Sequence, residues 1–265
     1  MREVFEAVFK KKFVVIGMVH LKPLPGSVKY DGESIEEIEK SAIDDAKILM
    51  NNGVDGLMIE NFGDKPFLNE RIDLFPLLIM TRIVSKIISF SSVPVGVNIE
   101  FNCWKEEITL AKATGASFIR VEVFNEFRYN NAGILFPSFS KLLRLRKELN
   151  ANDVMIFADL NVKHTYPIFD RDVEDLLDDF NKYVDAMIIT GTATGKPVDL
   201  EFLKRVKSIS KVPVLVGSGV KPDNIDVISR IADGAIVGTF FKRDGIVENP
   251  VDPTRVQKLM KILVK

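Results

Sequence analysis

The feature that most constrains this chain is an alternation of short apolar, β-branched runs with longer amphipathic ones. The amphipathic segments place apolar residues three or four apart, as helices do, and the clearest helix caps are predicted at Ser34, Asp170 and Asp199. Eight runs alternating with helices predict a parallel sheet covered by helices, and this pattern favours a closed (β/α)8 TIM barrel over an open sheet. The predicted strands begin near Phe13, Val54, Val95, Ser117, Val154, Ala186, Val214 and Ala235.

Recurring segments support this count of strands. Residues 53–61 (GVDGLMIEN), 183–191 (YVDAMIITG) and 231–239 (IADGAIVGT) share one frame of an aspartate, a small residue and an apolar run. The recurrence has two explanations, internal repetition or the common demand of tight turns that enter buried strands. A length of 265 residues with 46% hydrophobic content provides enough core for one large domain, so residues 1–265 are predicted to form a single TIM-barrel domain.

Charge and cysteine content exclude several classes of partner. The 36 Lys and Arg residues nearly cancel the 37 Asp and Glu residues, so we expect no nucleic-acid partner. No segment approaches the roughly 18 apolar residues that a membrane span requires, and the N-terminal segment lacks a signal-peptide cleavage site. The single cysteine, Cys103, excludes an internal disulfide and a multi-thiolate metal site. These features predict a cytoplasmic protein.

The loops around the predicted strands differ in length. Connections that enter strands are short, such as SSVP at 91–94, whereas those that leave strands are long, such as EVFNEFRYNNAGILFPS at 122–138. Long ordered loops cost conformational entropy and persist mostly where they have a function. In a (β/α)8 barrel these loops form the C-terminal face, so the functional site is predicted there.

Two glycine-bearing turns follow the last two predicted strands. Glycine allows main-chain N–H groups to approach an anion, and Pro222 is predicted in the first turn of the following helix, whose positive end favours the same charge. Barrels of this type commonly hold phosphate in the loops after strands seven and eight. The alternative is that these glycines serve turn geometry alone. The residues predicted to bind phosphate are Gly217, Ser218, Gly219, Gly238 and Thr239.

The other predicted strand ends carry polar residues that would form a ring at the barrel mouth. The chain has two histidines, and both lie where a strand ends; a histidine titrates near neutral pH, and a carboxylate such as Asp159 could fix its tautomer. Either histidine could instead cap a loop carbonyl. The residues predicted to transfer protons are His20, Glu60, Asp159 and His164. Those predicted to bind substrate are Asn61, Asn98, Arg120, Lys163, Thr190 and Thr192.

Several of these residues have alternative roles. Arg120 could form a structural ion pair with a carboxylate on a neighbouring strand, and Lys163 could neutralise a phosphate or form a Schiff base. No cofactor is firmly implied, and no metal ligand is assigned. A divalent ion such as Mg²⁺ is an alternative because carboxylates gather at the strand ends, namely Glu60, Glu100, Glu122 and Asp159.

Aromatic residues crowd the loops after the second and fourth predicted strands. They could form a lid or a stacking wall, or they could cover the barrel mouth or pack a subunit interface. We therefore expect a homo-oligomer. These residues are Phe62, Phe67, Phe124, Phe127, Tyr129 and Phe136.

Ordered motifs along nearly the whole chain closely resemble the BtpA family, which includes SgcQ-like proteins. They include residues 15–27 (VIGMVHLKPLPGS), 158–164 (ADLNVKH) and 212–225 (VPVLVGSGVKPDNI). The resemblance implies a ribulose-phosphate-binding type of barrel. The chain departs from the family pattern at two places: Phe101 and Trp104 occupy a loop where more polar residues are expected, and Asn161 replaces a usual histidine.

Together, the residues and the resemblance predict an enzyme that binds a phosphorylated sugar or a nucleoside-like small molecule. Isomerase, lyase and glycosyl-bond hydrolase reactions all remain open. The alternative is a non-catalytic assembly or stability factor for a membrane complex such as photosystem I, which the family name implies.

Overall fold

The computed structural model describes residues 2–191 and 197–263, and its centre is a closed barrel of eight parallel strands. Each barrel strand pairs with the next one along the chain, and the last pairs with the first. The eight predicted strand starts lie within two residues of the observed ones, so the predicted fold is confirmed. The barrel strands are β1 (Val14–His20), β2 (Gly56–Glu60), β3 (Val95–Asn98), β4 (Phe118–Val121), β7 (Met155–Leu160), β9 (Ala186–Ile189), β10 (Val214–Val216) and β11 (Gly234–Val237).

Helices surround the barrel. Ser34 and Asp199 cap helices as predicted, because their side chains accept hydrogen bonds from the N–H groups of Glu37 and Glu201. The helices are α1 (Arg2–Phe9), α2 (Ile35–Asn51), α3 (Leu74–Phe90), α4 (Trp104–Thr114), α5 (Phe139–Glu148), α6 (Val173–Tyr183), α7 (Leu200–Ile209), α8 (Ile225–Ser229) and α9 (Pro253–Leu263).

Two predictions about helix starts are wrong. Asp170 caps nothing, because α6 begins at Val173 and Asp172 occupies the N-cap position. Pro222 lies in the turn before α8 and not in its first turn. The side chain of Asn224 explains this start: its amide donates to the carbonyl of Gly219 (2.9 Å) and its oxygen accepts from the N–H of Lys221 (2.9 Å), so a closed turn precedes the helix.

The lower part of the barrel interior is apolar. Its side chains come from alternate positions on the strands, and α1 closes this end by placing Phe5 and Phe9 among them. The ring centroids of Phe5 and Phe157 lie 5.8 Å apart, and those of Phe9 and Phe118 lie 6.0 Å apart. The barrel therefore has a packed floor. The strand residues of this layer include Met18, Met58, Phe118, Phe157, Ile188, Leu215 and Ile236.

A second layer lies above this floor, two residues further along each strand. Because successive side chains of a strand point to opposite faces, residues two apart share the interior. The second layer is polar or small, and it faces the mouth of the barrel. Its members are His20, Glu60, Asn98, Arg120, Asp159, Thr190, Gly217 and Gly238.

A small antiparallel sheet, which the sequence did not predict, forms in the long loops after β4 and β7. It consists of β5 (Arg128–Asn130), β6 (Gly133–Leu135) and β8 (Tyr166–Pro167), in the order β6-β5-β8. Buried Arg128 anchors it by donating to Glu126 (2.6 Å) and to Asn161 (2.8 Å). Asn161, the departure from the family pattern, thus has a structural partner.

Within residues 2–191 and 197–263, no helix has the length and apolar character needed to cross a membrane.

Candidate active site at the barrel mouth

The structure brings both glycine-bearing turns to one cavity of about 200 Å³ at the C-terminal mouth of the barrel. The two turns follow neighbouring strands, β10 and β11, which is why they meet. Most of the residues predicted from sequence share this cavity. Those that line it are His20, Glu60, Arg120, Lys163, Gly217, Ser218, Gly219, Gly238 and Thr239.

Packing explains two of these glycines without any ligand. A Cβ atom at Gly217 would lie 2.6 Å from Cγ2 of Ile188, and one at Gly238 would lie 2.9 Å from Cε1 of His20. The N–H of Gly217 is also used, because it donates to the carbonyl of Ile189 at 2.8 Å. Steric packing and turn geometry, the alternative to phosphate binding, therefore explain why glycine occupies positions 217 and 238.

Within the described residues, other N–H groups of the two turns have no protein partner. In the part of the chain that the structure describes, no protein acceptor pairs with the main-chain N–H of Gly219, Gly238 or Thr239. The hydroxyl oxygen of Ser218 accepts from the N–H of Gly191 at 2.6 Å and so ties its turn to the loop after β9. Unpaired N–H groups beside one cavity are suited to bind an anion.

Arg255 also lines this cavity, and sequence reasoning missed it. Its Nε donates to the carbonyl of Phe240 at 2.6 Å, and its guanidinium lies 4.5 Å from the centroid of the Phe240 ring. This residue is on α9 and not at the end of a barrel strand, where the functional residues were predicted. Arg255 belongs to residues 249–256 (NPVDPTRV), a further segment that resembles the BtpA family, and this resemblance was the signal that could have identified it.

A buried ion pair crosses the polar layer. Arg120 donates to both carboxylate oxygens of Asp159, at 2.9 and 2.8 Å, and its Nη1 lies 3.7 Å from Glu60. Burial lowers the pKa of Arg120, but the Asp159 carboxylate outweighs this effect and the net shift is upward. The structure thus contains the ion pair that was the alternative role predicted for Arg120. Asp159 is committed to this pair and does not orient a histidine.

His20 and Glu60 lie beside each other in the polar layer. Nε2 of His20 lies 3.9 Å from Oε1 of Glu60, whose other oxygen accepts from Asn98 at 2.8 Å. The imidazole stacks on Phe62 with ring centroids 4.4 Å apart. Burial, reinforced by nearby lysines including Lys163, holds the pKa of His20 well below its usual value. The imidazole is therefore neutral at neutral pH and able to accept a proton.

His164 lies apart from His20. It lines a neighbouring cavity of about 460 Å³, which shares Phe62 and Lys163 with the first one. Burial and then the charge of Lys163 lower the pKa of His164. The two histidines predicted to transfer protons are thus not brought together.

Two residues predicted to bind substrate, Asn61 and Thr190, form hydrogen bonds with the surrounding loops. The side-chain oxygen of Asn61 accepts from the N–H of Glu100 at 2.8 Å, and the hydroxyl oxygen of Thr190 accepts from the N–H of Lys163 at 3.1 Å. Both side chains therefore hold the loops that surround the site. Thr192 lies outside the described residues.

The buried carboxylates do not converge as a metal site. Burial, and then the charge of Glu60, raises the pKa of Glu100 to about 7, and burial also raises that of Glu122. Glu122 accepts from the N–H of Asn102 at 2.9 Å, whereas Asp159 is held by Arg120. Among the residues with described positions, no three His, Cys, Asp or Glu side chains could together hold a metal ion.

A closed (β/α)8 barrel with a polar site at its C-terminal mouth defines a TIM-barrel protein. The solved N-(5'-phosphoribosyl)anthranilate isomerase from Pyrococcus furiosus shares this fold, with a TM-score of 0.56 and 19% identity over 94% of this chain and 97% of that one. The model of the BtpA family matches residues 10–265, and the chain belongs to the BtpA family.

Two relatives show how far the sequence similarity extends along the chain. The chain is 41% identical to an uncharacterized protein of Thermococcus kodakarensis, over 94% of each chain. It is 36% identical to the photosystem I biogenesis protein BtpA of Synechocystis sp., over 95% of this chain and 88% of that one. The family resemblance predicted from the motifs is confirmed.

Proposed function

We propose that this protein is an enzyme that acts on a phosphorylated sugar or a nucleoside-like small molecule at the barrel mouth. The observation that carries this proposal is that two turns with unpaired N–H groups line one cavity together with His20 and Glu60. The phosphate would accept from the N–H groups of Gly219, Gly238 and Thr239, while Gly217 and Ser218 shape the turn. The isomerase that shares the fold is named for a phosphoribosyl compound, which agrees with this assignment.

The residues beside the phosphate supply proton transfer. Neutral His20 accepts a proton from the bound molecule, and the Glu60 carboxylate, 3.9 Å away, stabilises the resulting imidazolium. Lys163, in the same cavity wall, offsets negative charge that develops on the ligand. Isomerisation, elimination and glycosyl-bond hydrolysis each include such a proton transfer.

A thermal-shift screen of the full chain with phosphosugars and nucleotides tests the proposal. A ligand that binds only the folded state at 100 times its Kd stabilises it by about 2.7 kcal/mol. We expect phosphorylated compounds to raise Tm and their dephosphorylated forms to leave it unchanged. Gly238→Ala should reduce the shift, because relieving the contact of the added methyl group with His20 would displace the turn that presents the N–H groups of Gly238 and Thr239. His20→Asn leaves that turn in place and should retain the shift. Tm values unmoved by any phosphorylated compound would contradict the proposal.

A second candidate function, a non-catalytic assembly factor, is favoured by an exposed apolar surface around the small sheet. We call this surface the aromatic face; its side chains are 37–69% exposed. The BtpA protein of Synechocystis is named for photosystem I biogenesis. For this function, changes at His20 and Glu60 would be tolerated and changes on the aromatic face would not. The face comprises Phe127, Tyr129, Ile134, Phe136, Tyr166, Ile168 and Phe169.

A further inference from the structure

The neighbouring cavity of about 460 Å³ is lined by residues that, apart from Lys163, have no role in the proposed proton transfer. Phe62 and Lys163 line both this cavity and the one at the glycine turns, so the two spaces adjoin. Phe67 and Phe101 contribute apolar wall. A ligand that reaches from one space to the other passes beside Phe62.

Three lysines line this second cavity: Lys29, Lys65 and Lys163. In the described ranges of the chain, none of them forms an ion pair with a carboxylate. Other lysines at this mouth are paired, since Lys22 contacts Glu33 and Lys242 contacts Asp45. The unpaired lysines therefore distinguish this cavity from its surroundings.

Lysines outnumber carboxylates in the wall of this cavity. Among the described residues that line the cavity, Glu100 is the one carboxylate, and it is buried. Burial and the charge of Glu60 raise the pKa of Glu100 to about 7, so it is partly protonated at neutral pH. Burial also lowers the pKa of Lys65, whose Nζ lies 3.3 Å from the centroid of the Phe62 ring. An anion in this cavity would offset the cost of holding the half-buried Lys65 ammonium partly desolvated.

We infer that the ligand of this protein carries a second anionic group, a phosphate or a carboxylate, which binds in this cavity against Lys29, Lys65 and Lys163. The inference rests on the proposed function, because it takes the first phosphate to lie at the glycine turns. The substrate class narrows to sugars that carry a phosphate at one end and an acidic group at the other. Such a molecule places one charge on each side of Phe62.

Calorimetric titration of the full chain with matched compounds tests this inference. The probes are ribose 5-phosphate, ribulose 1,5-bisphosphate, 6-phosphogluconate, AMP and inorganic phosphate. We expect the bisphosphate or the phosphorylated sugar acid to bind at least about tenfold more tightly than ribose 5-phosphate, as one added charge-assisted contact predicts. Whichever of the two binds better identifies the second group as a phosphate or a carboxylate.

Variants separate the two ends of the site. Lys65→Gln and Lys29→Gln should each weaken binding of the doubly charged compound by about tenfold and leave binding of inorganic phosphate unchanged. Lys258→Gln, which removes the same charge from an exposed position on α9, serves as the matched control.

The possible failures are distinguishable. If no phosphorylated compound binds, the proposed function fails together with this inference. If ribose 5-phosphate binds as tightly as the doubly charged compounds, the inference alone is overturned. If AMP binds more tightly than both doubly charged compounds, the cavity receives a planar ring and not an anion, which also overturns it.

Discussion

Arg120 forms a buried ion pair with Asp159 that links two strands of the barrel, whether or not a ligand is bound. Their side chains are 3% and 0% exposed, so each charge depends on the other for compensation. Removing one partner of a buried pair leaves an uncompensated charge, whereas removing both costs much less. Arg120 still lines the cavity, where its remaining contact is with Glu60.

Arg120→Met is therefore expected to lower the free energy of unfolding by about 3–5 kcal/mol, because Asp159 stays buried without a partner. Urea unfolding followed by circular dichroism measures this change. The double variant Arg120→Met/Asp159→Leu is the control and should recover much of the loss. A single variant as stable as the wild type would show that the pair does not stabilise the barrel.

Glu100 predicts a pH dependence of stability. Its pKa in the folded protein, about 7, lies above its ordinary value of 4.5, so its contribution to stability is fully present below pH 4.5 and is lost as pH rises through 7. Relative to Glu100→Gln, the free energy of unfolding of the wild type should fall by up to about 3 kcal/mol as pH rises from 4.5 through 7. This estimate uses about 1.4 kcal/mol per pKa unit. Unfolding of both proteins at a series of pH values measures the difference. A difference that stays flat with pH would contradict the shift.

Sequence reasoning located the polar layer but did not resolve its internal pairing. The two-residue period of a strand is a local property, so the residues that face the mouth could be predicted from the chain. Which of them bind each other depends on the register between strands. For this reason Asp159 was predicted to transfer protons, and Asn61 and Thr190 to bind substrate, without the contacts that each makes with the protein. Arg255 was missed because it reaches the site from a helix.

At the level of elements, α1 is the part of the fold that the sequence did not reveal. A helix of eight residues has little stability of its own, and this one is held by packing its apolar side against the barrel floor. The strands of the small sheet were not predicted for a related reason. Each has two or three residues and is stabilised by pairing with its neighbours. The barrel strands were predictable because each combines a buried run with a short entering loop.

The packing of α1 leads to a prediction for Phe5. Phe5→Ala should lower the free energy of unfolding by about 3–5 kcal/mol, because its buried ring contacts Phe9 and Phe157 in the floor. Val4→Ala on the same helix is the control, since Val4 is 47% exposed and its loss should cost less than about 0.5 kcal/mol. Chemical unfolding of the three proteins makes the comparison. Equal effects of the two changes would show that α1 is not packed as described.

At the scale of the whole molecule, the aromatic face is an apolar surface that a monomer would leave in water. Contiguous exposed apolar residues on a folded protein commonly mark a contact with another molecule. The face lies on the loops that leave the barrel strands β4 and β7. Association through it would leave the barrel itself unchanged.

We therefore expect a homodimer in solution, with a mass near twice 29.8 kDa by light scattering after size exclusion. Tyr166→Glu should give a monomer because it places a charge on the aromatic face. Val227→Glu, at an exposed site on α8, is the control and should remain dimeric. If the wild type is a monomer that binds phosphorylated ligands, this surface has no role in self-association.

The floor beneath the polar layer has an evolutionary consequence. Seven of the eight barrel strands place at least one inward side chain in the apolar floor, and the next inward position of each strand faces the mouth. Descendants of this chain can exchange upper residues for a different chemistry while the lower ones preserve the scaffold. The exception is the strand pair joined by Arg120 and Asp159, where a new specificity would require both residues to change together.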